Sequence, residues 1–123
     1  LLRKRDSVAN EYNTLLSNIE NVSPLTIAPT TTRMSWFVYV VRLAPGISRD
    51  KTIVLLGEKG IPARPYFSPI HLQPFYRKQF GFKQGDFPET EAAGESIIAL
   101  PFYANMKTEE IELVCNVLAD SIK

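Results

Sequence analysis

The sequence predicts a small α+β fold, a three-stranded sheet covered by helices. Three observations carry this. Helical and strand periodicities alternate in the order α, β, α, β, short helices, β, α; Ser35–Leu43 is dense in β-branched and aromatic residues; and the C-terminal stretch carries an apolar stripe at helical spacing. With 123 residues, 45% of them apolar and 22% charged, one folded domain is expected rather than disorder.

Along residues 1–22, Val8, Tyr12, Leu15, Leu16 and Ile19 recur at spacings of three and four, the period of a helix with one apolar face, and Asn21, Ser23 and Pro24 end it. Position 1 is Leu, and the first residues read as helix interior without a capping Ser, Asp or Asn. This start is expected of a connector helix over residues 1–24, leading from a larger upstream domain into a small domain at 25–123. Residues 25–34, rich in Thr and Pro, read as loop. Ser35–Leu43 follows as a strand, closed by Ala44-Pro45-Gly46. Both of its alternating sets are apolar, Trp36/Val38/Val40 and Phe37/Tyr39/Val41, so it calls for cover on both faces.

A helix over roughly 49–59 is expected next, with Ser48 as N-cap, Asp50 in its first turn, Ile53, Leu55 and Leu56 as its stripe and Gly60 in the left-handed position after it. Ile61–Pro65 reads as an edge strand, His71–Phe80 as a helical turn ending at Gly81, and Glu89–Gly94 as a short helix. Ser96–Leu100, stopped by Pro101, is a buried strand. The last helix is capped by Thr108 and buries Ile111, Val114, Cys115, Leu118 and Ile122. Cys115 lies in that stripe, where nothing lowers a thiol pKa, and reads as a structural residue.

Composition excludes several classes. The formal net charge is +1 with both signs interspersed, which gives no long-range attraction for nucleic acid or a membrane surface. A lone cysteine permits no intrachain disulfide and no cysteine-based metal site, and fits a reducing, cytoplasmic compartment. The apolar runs are far shorter than the roughly 18–20 residues that span a bilayer. Neither a glycine-rich phosphate loop, nor paired zinc histidines, nor a Gly-x-Ser-x-Gly elbow is present. Asp86, Glu89 and Glu91 are single carboxylates that have the chemistry of an acid or a base, and surface solvation explains them equally well.

The stretch with the most chemistry is Gly60–Tyr76, GIPARPYFSPIHLQPFY. It holds four of the nine prolines, four aromatics, Arg64 and the only histidine, His71. Each proline sets its own φ near −65° and biases its predecessor toward extended geometry, so the stretch is a stiff ribbon. Arg64, His71, Tyr66 and Tyr76 on such a ribbon are suited to holding a polar ligand, because preorganised groups lose less entropy on binding. The competing reading makes Arg64 a surface ion-pair partner, His71 a cap on the following turn and the tyrosines core.

This ribbon sits in a longer pattern: a helix ending Lys59-Gly60, then Arg64, Phe67, Pro69 and His71 as Arg-x-x-Phe-x-Pro-x-His, Tyr76, Phe80-Gly81, Asp86-Phe87-Pro88, Ala99-Leu100-Pro101 and a helix opening Thr108-Glu109-Glu110. In order and spacing it resembles the C-terminal small domain of the DegT-type nucleotide-sugar aminotransferases, and nearly the whole chain takes part. The resemblance implies a fold-type I pyridoxal-phosphate enzyme, working as a homodimer and aminating a keto nucleotide sugar with glutamate as donor. It implies that the cofactor lysine, in a Ser-Phe-x-x-x-Lys-like context, belongs to a large domain. None of Lys4, Lys51, Lys59, Lys78, Lys83, Lys107 and Lys123 stands in such a context. This chain is thus expected to supply substrate-binding residues and no catalytic residue, with no cofactor bound to it alone. The alternative is a non-catalytic binding or interaction module that retains the small-domain fold.

Overall fold

A computed structural model describes residues 1–123. Five α-helices, α1 (Leu2–Leu16), α2 (Arg49–Glu58), α3 (Pro74–Phe80), α4 (Pro88–Ser96) and α5 (Thr108–Ser121), accompany four strands, β1 (Val22–Pro24), β2 (Tyr39–Leu43), β3 (Arg64–Pro65) and β4 (Ile97–Leu100). The class is α+β as expected, but the sheet has four strands rather than three, in the order β1-β2-β4-β3 with every pairing antiparallel. The added strand, β1, follows Asn21, whose φ of 69° turns the chain out of α1 and lays Val22 opposite Leu43. Both edge strands contain a proline, Pro24 in β1 and Pro65 in β3. Proline lacks the donor an interior strand needs, so these edges resist further pairing.

β2 is shorter than expected. Its register with β4 ends at Tyr39↔Leu100, and the next residue of the partner is Pro101, which cannot donate to the ladder. Trp36, with φ 48°, also departs from extended geometry. Residues 35–38 are therefore not strand, and the expectation of two buried faces fails. Tyr39, Val41 and Leu43 point into the core, while Val40 is half-buried and Arg42 exposed.

Ile98 and Leu100 of β4 share the inward face with Val41 and Tyr39. Against them pack Val8, Ala9, Tyr12 and Leu16 of α1, Leu56 of α2, and Ile111, Val114, Cys115 and Leu118 of α5. The stripe of the last helix is buried as its spacing requires. Its N-cap, however, is Lys107 rather than Thr108: the Lys107 N–H donates to Glu110 Oε2 at 2.7 Å, and Thr108 is the first helical residue. In α2, Ser48 is the N-cap and its hydroxyl accepts from the Lys51 N–H. Helix α1 is tied into this core by polar bonds as well. The Tyr12 hydroxyl donates to the Pro101 carbonyl at 2.5 Å, and the Tyr39 hydroxyl bonds Asn13 Oδ1 at 2.5 Å, with the two rings stacked 4.6 Å apart.

Candidate functional site

The ribbon starts on the sheet. Arg64 pairs with Ala99 and Pro65 with Ile98, which fixes the ribbon's first residues to the edge of β4. Phe67 then turns the chain with φ 64°, a conformation unfavourable for a bulky side chain and maintained only by its surroundings. One such constraint is the approach of the Pro69 ring to Gly94 of α4: a Cβ on Gly94 would lie 3.0 Å from Pro69 Cδ, so glycine is what admits the ribbon this close. Arg49, at the start of α2, adds a second clasp by donating through Nη1 to the Gly94 carbonyl.

A 3₁₀ turn at Ile70–Leu72 carries His71 inward. The ring is 7% exposed and its Nε2 lies 3.0 Å from Oε2 of Glu91, itself 6% exposed. The same carboxylate accepts the Gly85 N–H at 2.8 Å on Oε1 and the Phe87 N–H at 3.0 Å on Oε2. The Gly85 N–H above all, with that of Phe87 and the His71 ring, holds the Glu91 carboxyl below the usual carboxylate range, against the opposing effect of desolvation. Phe87 packs edge-on against the imidazole at 4.8 Å and Phe82 does so at 6.2 Å. One carboxylate thus joins three segments, the ribbon, the loop at 82–87 and helix α4.

The other ribbon candidates remain at the surface. Arg64 is exposed and its guanidinium makes no hydrogen bond or ion pair within the chain, so the expected surface acid is not there. Tyr66 is half-buried against Phe67, with ring centroids 4.5 Å apart. Tyr76, on α3, is exposed beside Phe75 and Phe80. No hydrogen bond joins Arg64, Tyr66 or Tyr76 to His71, and neither the cleft beside Arg49 and Glu95 nor that between Leu25 and Val40 is lined by any of the four. Sequence reasoning passed over two residues. Glu91 is buried and fully engaged rather than solvated at the surface, and Arg49 carries no motif signal in the sequence. The signal for Glu91 was the Gly85-Asp86 turn shortly before it, whose N–H groups need an acceptor.

Beside the ribbon, Arg49, Ser68, Gln84, Glu91 and Glu95 line a cleft of about 120 Å³, well below the roughly 300–1,000 Å³ of small-molecule sites. A larger cleft of about 420 Å³ lies elsewhere, between Leu25–Ala28 and Met34–Val40, and is mostly apolar. All seven lysines are solvent-exposed. No helix is long and apolar enough to cross a membrane.

Fold and site together define an antiparallel α+β domain that pairs a proline-aromatic ribbon with its sheet edge and fastens it to α4 through a buried His–Glu pair. The chain belongs to the DegT/DnrJ/EryC1/StrS aminotransferase family, which matches residues 1–119. It is 36% identical over 119 residues to an uncharacterized protein of Methanocaldococcus jannaschii, covering 93% of this chain and 30% of that one. It is 30% identical over 128 residues to the spore coat polysaccharide biosynthesis protein SpsC of Bacillus subtilis, covering 98% and 32%. Among solved structures, Spr1654 of Streptococcus pneumoniae in its PMP form superposes with TM-score 0.87 at 25% identity, over 98% of this chain and 30% of that one. Helicobacter pylori PseC, an aminotransferase involved in pseudoaminic acid biosynthesis, has the same fold, with TM-score 0.86 at 20% identity over 99% and 33%. The chain spans about a third of the length of the curated relatives it matches.

Proposed function

We propose that this chain is the C-terminal part of a cytoplasmic, pyridoxal-phosphate-dependent aminotransferase that acts on a keto nucleotide sugar, with glutamate as amino donor and a homodimer as the working unit. The observation that supports this is the family match over residues 1–119 in a chain that spans a third of its relatives. In this reading the rest of the protein holds the cofactor, which supplies an electron sink for moving the amino group. The present residues bind and orient. Arg64 presents an unpaired guanidinium suited to the paired hydrogen bonds of a diphosphate or carboxylate. Tyr66 and Tyr76 each offer a phenol and a flat face, and His71 offers its outward ring nitrogen.

The second reading is a non-catalytic binding or interaction module that retains the small-domain fold, and a full-length protein without transaminase turnover would favour it. Arg64→Ala and His71→Ala in the full-length protein test whether the ribbon binds substrate. Losing a hydrogen bond to a charged ligand group costs about 1.5–3 kcal/mol, which weakens nucleotide-sugar or glutamate use by roughly 10- to 150-fold while cofactor absorbance persists. Steady-state constants for each substrate are measured beside a melting curve. Unchanged constants with a lowered melting temperature would remove the binding role and leave Arg64 and His71 as supports of the fold.

A further inference from the structure

The His71–Glu91 pair determines which hydrogen-bonding character the ribbon shows outward. Glu91 faces three nitrogens. Two of them, the backbone N–H groups of Gly85 and Phe87, can only donate. Bonds of this kind favour the ionised carboxylate, and an ionised carboxylate only accepts. The third nitrogen, His71 Nε2 at 3.0 Å, must therefore carry a hydrogen. A neutral imidazole has one N–H, so its Nδ1 is then a bare lone pair. Nδ1 has no partner within the chain, yet it is not sealed off: the one buried side-chain polar atom left without a bond is Glu11 Oε2. The ring's contact with solvent thus includes Nδ1, while Phe82 and Phe87 pack around the ring.

We infer that Glu91 is a positioning residue that locks His71 in the Nε2–H tautomer, so that the ribbon presents an acceptor, Nδ1, to a substrate hydroxyl or amino group. This rests on the reading of the ribbon as a substrate-contacting surface. It narrows the division of labour there: the phosphate or carboxylate goes to Arg64, and His71 takes a donor such as a sugar hydroxyl. The Gly85 and Phe87 N–H groups keep Glu91 aimed, which makes the loop at 82–87 part of the device although it offers the ligand nothing.

His71 is the only histidine in this chain, so its ring nitrogens are read without ambiguity in a two-bond ¹H–¹⁵N spectrum of the uniformly ¹⁵N-labelled chain, taken at alkaline pH. The expected spectrum shows a protonated Nε2 and a bare Nδ1 without averaging. In Glu91→Gln, one amide oxygen replaces two carboxylate oxygens, and either amide orientation sets an NH₂ against a backbone N–H. The spectrum of that variant is expected to move to a mixture of tautomers. A protonated Nδ1, or an averaged pair of nitrogens in the unaltered chain, overturns the lock, and this needs no variant to fold. A locked tautomer together with unchanged substrate constants in full-length His71→Ala overturns the substrate contact and the ribbon reading while leaving the tautomer itself intact. A locked tautomer with at least tenfold weaker nucleotide-sugar use supports both.

Discussion

Replacing Tyr12 by Phe tests whether helix α1 is an integral layer of this domain or only a lead into it. The side chain is fully buried, stacks on Tyr39 and donates to the Pro101 carbonyl just beyond β4, and burial raises its pKa well above that of an ordinary phenol. The substitution keeps the ring and the stack but leaves the Pro101 carbonyl without its donor. An unsatisfied group of this kind costs about 1–3 kcal/mol. At this length each kcal/mol corresponds to roughly 3–5 °C, so the melting temperature should fall by roughly 3–15 °C, centred near 8 °C. Urea denaturation followed by far-ultraviolet circular dichroism gives the same loss as a lowered midpoint at unchanged slope. Tyr76→Phe is the control, because that exposed hydroxyl has no partner in the chain; it should shift stability by less than about 0.5 kcal/mol. If Tyr12→Phe also stays below about 0.5 kcal/mol, then α1 is not coupled to the sheet and the account of the core is wrong.

Three further outcomes are expected. Cys115 is buried and its thiol is pushed up to about 12, so in the folded chain at pH 8 it should react with Ellman's reagent about a thousandfold more slowly than in urea; stoichiometric labelling of the folded chain within minutes would contradict this. Because folding lowers the Glu91 pKa, its contribution to stability is complete above the unfolded carboxyl value near about 4.3 and is lost as pH falls through the lower folded value. Melting temperatures from pH 7 to 3 should therefore fall more steeply for the unaltered chain than for Glu91→Gln, and parallel curves would remove Glu91 from the acid response. Finally, the apolar cleft at residues 25–40, with Phe37 74% exposed, should drive self-association of the 123-residue chain. Sedimentation should show Phe37→Glu shifting it toward monomer, and a strictly monomeric unaltered chain at high concentration would defeat the idea.

Local physics alone determined much of this protein. The stripe Ile111–Ile122, the Ser48 cap, the left-handed Gly60 and the prolines of the ribbon act within a few residues of themselves, so the helices, the stiff ribbon and the α+β class were legible in the sequence, and the motif spacing resembled the aminotransferase family that the chain matches. What only the tertiary structure decided depends on partners distant in the chain. β2 stops at Tyr39 because Pro101 faces the next ladder position, a fact about register that no strand propensity contains. β1 exists because β2 offers it an edge, not because Val22–Pro24 favours extension strongly by itself. Glu91 looked like any surface carboxylate, and it became a buried acceptor only when the turn at Gly85 and the histidine twenty residues earlier were folded against it. Burial and hydrogen-bond satisfaction are properties of the packed chain, and they turn a row of polar residues into a site.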